Sequence, residues 1–342
     1  MKAVRLHAYS EPPRLDEVPE PTATGPHDVV VRVGGAGLCR TDLHIRDGWF
    51  APAVPTDLPL VLGHETTGWV YEVGTAVENV AVGDAVICHP QSSCGTCPAC
   101  RTGDDMRCAR GLDFTGLTRA GGFAELMRTT DRAVLPLPAG MEPAAVAPHA
   151  DAGLTVMHAV RKAVPLLGPG TRVVVVGVGG LGHIAVQCLR AMTAAEVIAV
   201  DPDPESLGLA TDCGAHHAVP ADGRHGDRVA ELTGGAGAEA VLDFVGEGDA
   251  VASSLAMVRS RGTYFVVGYG GELRVPTFNL VLPEISVVGN AVGTHDDLRE
   301  LVALAAAGGV DIRTRTYPLE AFADAFADLE GGRVHGRAVL VP

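Results

Sequence analysis

The apolar positions of the first 150 residues fall in short runs, which Gly, Pro and other turn residues separate at close intervals. Three of these runs are DVVVRV at residues 28–33, GWVYEV at 68–73 and DAVI at 84–87. Short β-branched runs between frequent turns are typical of antiparallel sheets. This part of the chain is therefore predicted to be an all-β, barrel-like domain.

From residue 171 onward the rhythm changes, because apolar runs alternate with helical stretches. Strands are expected at 172–176, 197–200, 240–244, 264–267 and 285–288, and helices at 180–194 and about 203–213. A helix at 296–307 and a closing strand at 337–341 follow. Strands that alternate with helices form parallel sheets covered on both faces. The pattern predicts a second, α/β domain.

Length and charge narrow the classes of function. The 342 residues correspond to about two domains. A net charge of −15 argues against nucleic acid and anionic membranes as partners, because both attract basic surfaces. No run of 18 apolar residues is present to span a membrane, and the opening MKAVRLHAYSEPP has no apolar signal segment. A cytoplasmic protein is expected.

Four of the eight cysteines lie close together, in the pattern Cys94-x2-Cys97-x2-Cys100-x7-Cys108. In a reducing compartment such a cluster binds metal more often than it forms disulfides. Four thiolates suit a closed tetrahedral zinc site, which is structural because no position stays open. An iron–sulfur cluster also takes four cysteines, but its common runs end with a different spacing, so zinc is favoured.

A glycine-rich motif follows the strand at 173–176 and opens the next helix. Its glycines are Gly177, Gly179 and Gly182, with Gly180 and Leu181 between them, and Asp201 ends the following strand 24 residues after Gly177. This context is that of a dinucleotide-binding loop, whose backbone and helix N-terminus hold the pyrophosphate. The Asp201 carboxylate would bind the ribose diol and repel a 2′-phosphate, which favours NAD over NADP. A glycine-rich turn without ligand is the alternative.

Three further segments carry candidate metal ligands: GLCRTDLH at 37–44, GHE at 63–65 and ADAGLT at 150–155. Cys, His and Asp together suit a zinc site that keeps one position open for water or substrate. Spacing alone leaves a second interpretation open, in which Cys39 is a small core residue and His64 a core histidine with satisfied hydrogen bonds.

These segments together resemble the zinc-dependent medium-chain alcohol dehydrogenase family. LGHETTGWVYEVG, GGFAE at 121–125, DFVG at 243–246 and the final HGRAVLVP extend the resemblance over the whole chain. Within the family the chain is most similar to bacterial NAD-dependent secondary alcohol dehydrogenases. The resemblance implies a GroES-like, partly open β-barrel catalytic domain at 1–150, completed by 295–342. It implies a Rossmann doubly wound parallel sheet at 151–294.

The resemblance also implies a catalytic zinc held by Cys39, His64 and Asp151, where many relatives have Cys in place of the Asp. Glu65 would lie near the metal and ligate it transiently. Asp42 would orient the ligand histidine, as ligands of metals generally require.

Thr41 would accept the alcohol proton and pass it through the cofactor ribose to His44 and solvent. Arg40 and Arg337 match positions that contact the pyrophosphate. The backbone that would meet the nicotinamide carboxamide belongs to Val267, Gly268, Val292 and Gly293.

The implied activity is zinc-dependent hydride transfer between a secondary alcohol or ketone and NAD, with two zinc ions per chain. A polyol or cyclitol dehydrogenase of the same family and a non-catalytic NAD-binding relative are the alternatives. Trp49, Phe50 and His149 are candidates for the substrate pocket, although packing roles account for them equally well. The family is usually dimeric or tetrameric, so a homo-oligomer is expected.

Overall fold

The structure is a computed structural model that describes residues 1–54 and 56–342. The chain divides into two compact units. Unit 1 contains Met1–Leu154, Thr294–Ala306 and Ile312–Pro342. Unit 2 contains Thr155–Gly293 and Ala307–Asp311. The sequence predicts these boundaries at 150 and 295, without the return of residues 307–311 to unit 2.

The strands, in chain order, are β1 (Lys2–Leu6), β2 (Arg14–Glu17), β3 (Asp28–Leu38), β4 (Leu60–Val61), β5 (Glu65–Val73), β6 (Ala85–Cys88), β7 (Leu126–Thr130), β8 (Val134–Pro136), β9 (Arg172–Val176), β10 (Glu196–Asp201), β11 (His217–Pro220), β12 (Ala238–Asp243), β13 (Val258–Val266), β14 (Ser286–Gly289), β15 (Thr314–Pro318) and β16 (Arg337–Val341). The helices are α1 (Arg40–Arg46), α2 (Pro98–Arg101), α3 (Pro143–Val146), α4 (Ala152–Ala163), α5 (Gly182–Met192), α6 (Pro204–Asp212), α7 (His225–Leu232), α8 (Ala250–Ala256), α9 (Phe278–Val281), α10 (His295–Ala306) and α11 (Phe322–Glu330). Within the described ranges, no helix is long and apolar enough to cross a membrane.

Unit 1 is built on a mostly antiparallel sheet in which the long strand β3 is central. The strand order is β15-β16-β3-β5-β6-β8, and β7 also pairs with β3. A small sheet with the order β2-β1-β4 lies in the same unit. Because β16 pairs antiparallel with β3, the closing strand of the chain is part of this sheet. The carboxyl end of β3 and the amino ends of β5 and β16 therefore lie at the same end of the sheet.

Unit 2 is a parallel sheet with the strand order β11-β10-β9-β12-β13-β14. Counted in chain order this is 3-2-1-4-5-6, the doubly wound arrangement of dinucleotide-binding domains. The four valines of β9 are buried at the centre of the sheet, as expected for a parallel strand covered on both faces. The predicted α/β fold, a barrel-type domain with a parallel doubly wound sheet, is confirmed.

Element boundaries differ from the expectations in particular places. Helix α5 begins at Gly182 and not at residue 180, because Gly177 has a left-handed φ of +81° and residues 177–181 form a turn. Strand β13 begins at Val258, six residues before the expected start at 264. Its first part reads VRSRG, whose polar residues hide the strand pattern.

Candidate active site

Two strand ends and one helix start bring a set of metal-ligand side chains together in unit 1. Cys39 follows β3 and caps α1, His64 precedes β5, Glu65 begins β5, and Asp151 precedes α4. One ligand atom from each of these four residues lies within 4.8 Å of the others. All four side chains are almost completely removed from solvent.

The chemistry of this cluster fits a bound cation. Both ring nitrogens of His64 and the Oε2 atom of Glu65 are buried with no hydrogen-bond partner in the described parts of the chain. Buried polar atoms without partners are costly, and a metal ion is one way to satisfy them. Sulfur, nitrogen and oxygen donors in this combination suit zinc.

The Asp42 side chain contacts two of the ligand residues, Cys39 and His64. Its Oδ2 atom accepts a hydrogen bond of 2.9 Å from the backbone amide of Cys39, and its Oδ1 atom lies 3.4 Å from Nδ1 of His64. Nε2 of His64 lies 3.4 Å from Oδ2 of Asp151. Because Nδ1 faces the Asp42 carboxylate, Nε2 is the nitrogen left to face the cluster.

Charges within the cluster favour the metal-binding form of two of its ligands, Cys39 and Asp151. Burial raises the pKa of the Cys39 thiol, but the Arg337 guanidinium and His64 outweigh burial and bring that pKa below its ordinary value. Burial also raises the pKa of Asp151, and the neighbouring His64 and Arg337 again reverse the direction. Both shifts favour the anionic form, which is the form that binds a cation.

Glu65 and Arg337 form a buried ion pair inside the same site. Nη2 of Arg337 donates to Oε1 of Glu65, which also accepts a hydrogen bond of 3.2 Å from the amide of Ala152. A Cβ at Gly37, opposite Glu65 on β3, would lie 1.9 Å from Glu65 Oε2, so only glycine leaves room for this carboxylate. Arg337 is thus committed to Glu65 in this structure, and its expected contact with a pyrophosphate stays a prediction.

The four-cysteine loop is a second metal-ligand group in unit 1. The sulfurs of Cys94, Cys97, Cys100 and Cys108 lie within 4.8 Å of one another and form no disulfide. Backbone amides of Cys94, Cys97 and Ala109 each lie 3.4 Å from a sulfur of the loop. Hydrogen bonds from Thr96 and from the Cys97 amide lower the pKa of Cys94 to about 5, so this sulfur is a thiolate near neutral pH.

In unit 2 the three motif glycines occupy three different environments. Gly177 has a φ of +81°, a backbone conformation that residues other than glycine rarely adopt. A Cβ at Gly179 would meet nothing within 4 Å, so its backbone is open to a ligand. A Cβ at Gly182 would lie 2.0 Å from the carbonyl oxygen of Gly177, so the helix and the loop could not pack as closely. These are the three roles that a dinucleotide loop requires.

Asp201 lies beside this loop at the end of β10. Its Oδ2 atom accepts a hydrogen bond of 2.7 Å from the amide of Val178, and its Oδ1 atom accepts one of 2.9 Å from Asp203. Burial raises the pKa of the Asp201 carboxyl group. The carboxyl ends of β9 and β10 therefore carry the loop and the acidic residue side by side.

Comparisons with known proteins match this chain to two domain families and to several alcohol dehydrogenases. The alcohol dehydrogenase GroES-like domain family matches residues 25–139, and the zinc-binding dehydrogenase family matches residues 180–307. The crystal structure of the alcohol dehydrogenase from the archaeon Aeropyrum pernix is similar with a TM-score of 0.97 and 46% identity, over 100% of both chains. An alcohol dehydrogenase of Geobacillus stearothermophilus is 36% identical over 99% of this chain and 98% of its own length. The NAD-dependent alcohol dehydrogenase of Sulfurisphaera tokodaii is 33% identical over 100% of both chains.

The chain belongs to the zinc-dependent medium-chain alcohol dehydrogenase family. The resemblance recognised in the sequence is thereby confirmed. The comparisons assign no individual residue, so the roles of the site residues remain those argued from their positions.

Several residues expected in this dehydrogenase site lie on or beside α1. His44 is almost completely buried and its ring stacks on Trp49, with centroids 4.1 Å apart and an interplanar angle of 7°. Trp49 is itself 52% exposed, so it covers His44 on the solvent side. Thr41 and Phe50 are half-buried, and Arg40 is exposed.

His149 lies in the turn of 3-10 helix that leads to Asp151 and is 2% exposed. A Cβ at Gly153 would come within 2.6 Å of its Nδ1 atom, so His149 packs directly on the start of α4. This placement supports the packing interpretation of His149 as strongly as the pocket interpretation.

The backbone expected to meet the nicotinamide lies at the ends of β13 and β14 in unit 2. The amides of Val267 and Gly268 donate to the carbonyl oxygen of Asp243, at 3.0 and 2.9 Å. Val292 has a φ of +52°, an unusual conformation for a β-branched residue.

The sequence did not predict two contacts of this site, that of His64 with Phe114 and that of Glu65 with Arg337. The ring of Phe114 lies 6.0 Å from that of His64, and no local pattern connects two residues 50 positions apart. The Glu65–Arg337 pair joins two residues that are 272 positions apart in the chain. A buried strand that begins with a lone arginine, RAVLV, was the one available signal for it.

Proposed function

We propose that this chain is an NAD-dependent alcohol dehydrogenase that oxidises secondary alcohols to ketones and catalyses the reverse reduction. The cluster of Cys39, His64 and Asp151 carries this proposal. It offers three ligands of the types that catalytic zinc uses, and substrate would take the fourth position while Glu65 stays paired with Arg337. The same chain has an intact dinucleotide loop.

Two zinc ions per chain would occupy the two ligand groups. The four cysteines would hold the structural ion, and Cys39, His64 and Asp151 would hold the catalytic one. Zinc at the latter site supplies Lewis acidity, which lowers the pKa of a bound hydroxyl group by several units.

The surrounding residues would keep the ligands in place. Asp42 holds the Cys39 backbone and faces Nδ1 of His64, so it sets the orientation of two ligands at once. Arg337 compensates the charge of Glu65 in a site with little access to water. Glu65 is thereby available as the transient fourth protein ligand that the family resemblance implies.

Thr41 and His44 would carry the proton away from the alcohol. The Thr41 hydroxyl group can accept a proton and donate its own, and His44 lies one helical turn further along α1. Trp49 would limit the exchange of the His44 ring with solvent, because it covers one face of that ring.

NAD would bind through unit 2 and accept the hydride. The open backbone at Gly179 and the start of α5 suit its pyrophosphate, Asp201 suits the adenosine ribose, and Arg40 is the exposed cation proposed for the phosphates. The backbone of Val267, Gly268, Val292 and Gly293 would hold the carboxamide.

Purified, zinc-loaded protein assayed with NAD or NADP and a panel of alcohols tests the proposal. Reduction of NAD by short secondary alcohols is expected, with NADP a poor substitute and with two zinc atoms per chain by metal analysis. Preferential turnover of sugar alcohols or cyclitols would instead support the polyol alternative. A failure of every alcohol to reduce NAD, with both zinc sites filled, would contradict the proposal and support a non-catalytic NAD-binding relative.

We further propose that the protein is a homo-oligomer, a dimer or tetramer, in a reducing cytoplasm. None of the eight cysteines forms a disulfide, which suits a reducing compartment. Strand β14 is the edge of its sheet, and the segment before it exposes Phe278, Val281 and Leu282 by 68%, 73% and 70%. An unpaired edge beside exposed apolar side chains is a surface that a second copy can cover.

A further inference from the structure

The turn that follows β14 contains an unusual backbone conformation. Val292 has φ +52°, in the left-handed region that β-branched side chains avoid. Such a conformation persists only where the surrounding contacts hold it, and it is most common at functional sites. The contacts around residues 289–293, which we name the carboxamide turn, therefore bear on its function.

Asn290 joins the carboxyl ends of the two last strands of the sheet. Its backbone amide donates to the carbonyl oxygen of Val266 at 2.9 Å. Its side-chain Nδ2 atom donates to Val266 O at 3.2 Å and to Val288 O at 3.0 Å. One residue thus binds the end of β13 and the end of β14 together.

A lysine determines which way the Asn290 amide points. Nζ of Lys162, on α4, donates to Oδ1 of Asn290 at 3.1 Å and lies 3.5 Å from the carbonyl oxygen of Gly289. The reversed amide would place its oxygen against two carbonyl oxygens and its NH2 group against an ammonium. In the observed orientation the amide NH2 group faces the two carbonyl oxygens and the amide oxygen faces the ammonium group.

The residues held in this way flank the proposed nicotinamide contacts. Val267 and Gly268 follow Val266 directly, and Val292 lies two residues after Asn290. On the far side of Val267 and Gly268, the carbonyl oxygen of Asp243 accepts both of their amides. Asn290 thereby supports both backbone segments that would meet the carboxamide.

We propose that Asn290, oriented by Lys162, is a positioning residue that selects the carboxamide of the nicotinamide ring. It sets the carboxamide turn so that backbone groups match the carboxamide oxygen and NH2 group, without touching the cofactor itself. This inference rests on the proposed NAD-dependent function. Its consequence is specific, because the adenosine half of the cofactor binds elsewhere in the unit.

The test compares binding of three ligands to the zinc-loaded protein by fluorescence or calorimetric titration. The ligands are NADH, its reduced 3-acetylpyridine analogue, in which a methyl ketone replaces the carboxamide, and ADP-ribose, which lacks the nicotinamide. The variants are Asn290→Ala and Lys162→Met. Gln187→Ala is the matched control, since Gln187 likewise bonds a backbone segment, at Asp311 O and N, but from α5.

We expect Asn290→Ala to lower NADH affinity roughly tenfold, as for the loss of one or two buried hydrogen bonds. Affinity for the acetylpyridine analogue should change less, so the preference for the carboxamide shrinks, while ADP-ribose affinity stays constant. Lys162→Met should act in the same direction by a smaller factor. Gln187→Ala should leave the preference unchanged.

Two results would overturn the inference. One is an unchanged ratio of NADH to analogue affinity in Asn290→Ala. The other is an equal loss for all three ligands, which indicates general damage to unit 2. Wild-type protein that binds NADH but oxidises no alcohol would contradict the proposed function and leave this binding comparison valid.

Discussion

By the family resemblance, Asp151 supplies a carboxylate at a position where many relatives have a cysteine. Its pKa is lowered by His64 and Arg337 in spite of burial, so it can serve as an anionic ligand. A carboxylate oxygen is a harder metal ligand than a sulfur atom. Asp151 belongs to the same unit as Cys39 and His64. We therefore expect metal binding at this site to depend on this single side chain.

Asp151→Ala is expected to lower kcat/KM by at least 100-fold, because the catalytic zinc loses one of three ligands. The zinc content should fall from about two to about one per chain, since the cysteine loop is unaffected. Metal analysis and alcohol assays measure both effects, with the exposed Asp113→Ala as control. Normal turnover by Asp151→Ala would show that the ligand assignment is wrong.

The buried Glu65–Arg337 pair makes a second prediction at the scale of residues. Arg337→Met leaves the Glu65 carboxylate buried without its cation, which typically costs about 3–5 kcal/mol. The midpoint of thermal unfolding should fall by roughly 10 °C. The double variant Glu65→Gln, Arg337→Met should recover a large part of this loss. A double variant as unstable as Arg337→Met alone would indicate that charge is not the cause.

At the scale of elements, strand register places the ligands. Gly37 lies opposite Glu65, and Ala338 lies opposite Leu38, so β3, β5 and β16 end together at Cys39, Glu65 and Arg337. A shift of one residue in either pairing would turn these side chains to the other face of the sheet. The metal site is therefore a product of the sheet and not of one loop.

The start of α5 offers a prediction that separates close packing from helix propensity. Gly182→Ala is expected to weaken ADP-ribose binding at least tenfold and to destabilise the fold, because its Cβ would lie 2.0 Å from Gly177 O. Gly208→Ala, an exposed position inside α6 with nothing within 4 Å, should instead stabilise the protein by about 0.5–1 kcal/mol. Thermal unfolding and ADP-ribose titration of both variants are the measurements. Equal behaviour of the two would contradict the role assigned to Gly182.

At the scale of the whole molecule, the net charge of −15 argues against nucleic acid and anionic membranes as partners. The exposed apolar segment before β14 is an exception to that charged surface. Its side chains would be covered in the homo-oligomer proposed above.

The double variant Val281→Asp, Leu282→Asp is expected to yield a smaller assembly, because two charges would face the proposed partner copy. Light scattering coupled to size-exclusion chromatography measures the mass, and Val82→Asp, another exposed valine, is the control. An unchanged mass would place the interface elsewhere.

The sequence by itself determined features that depend on neighbours in the chain. The four cysteines of the loop and the three glycines before α5 are recognisable because each group acts within one short turn. The alternation of strands and helices in unit 2 also followed from periodicity, because burial on both faces demands long apolar runs.

Only the tertiary structure decided which distant residues meet. Glu65 and Arg337 are 272 positions apart, and Lys162 and Asn290 are 128 apart, yet each pair is in contact. Apolar periodicity specifies which face of a strand is buried, but it does not encode which strands pair or in what register. Contacts between side chains from different elements depend on that pairing, so the support of the metal ligands and of the carboxamide turn was visible only in the fold.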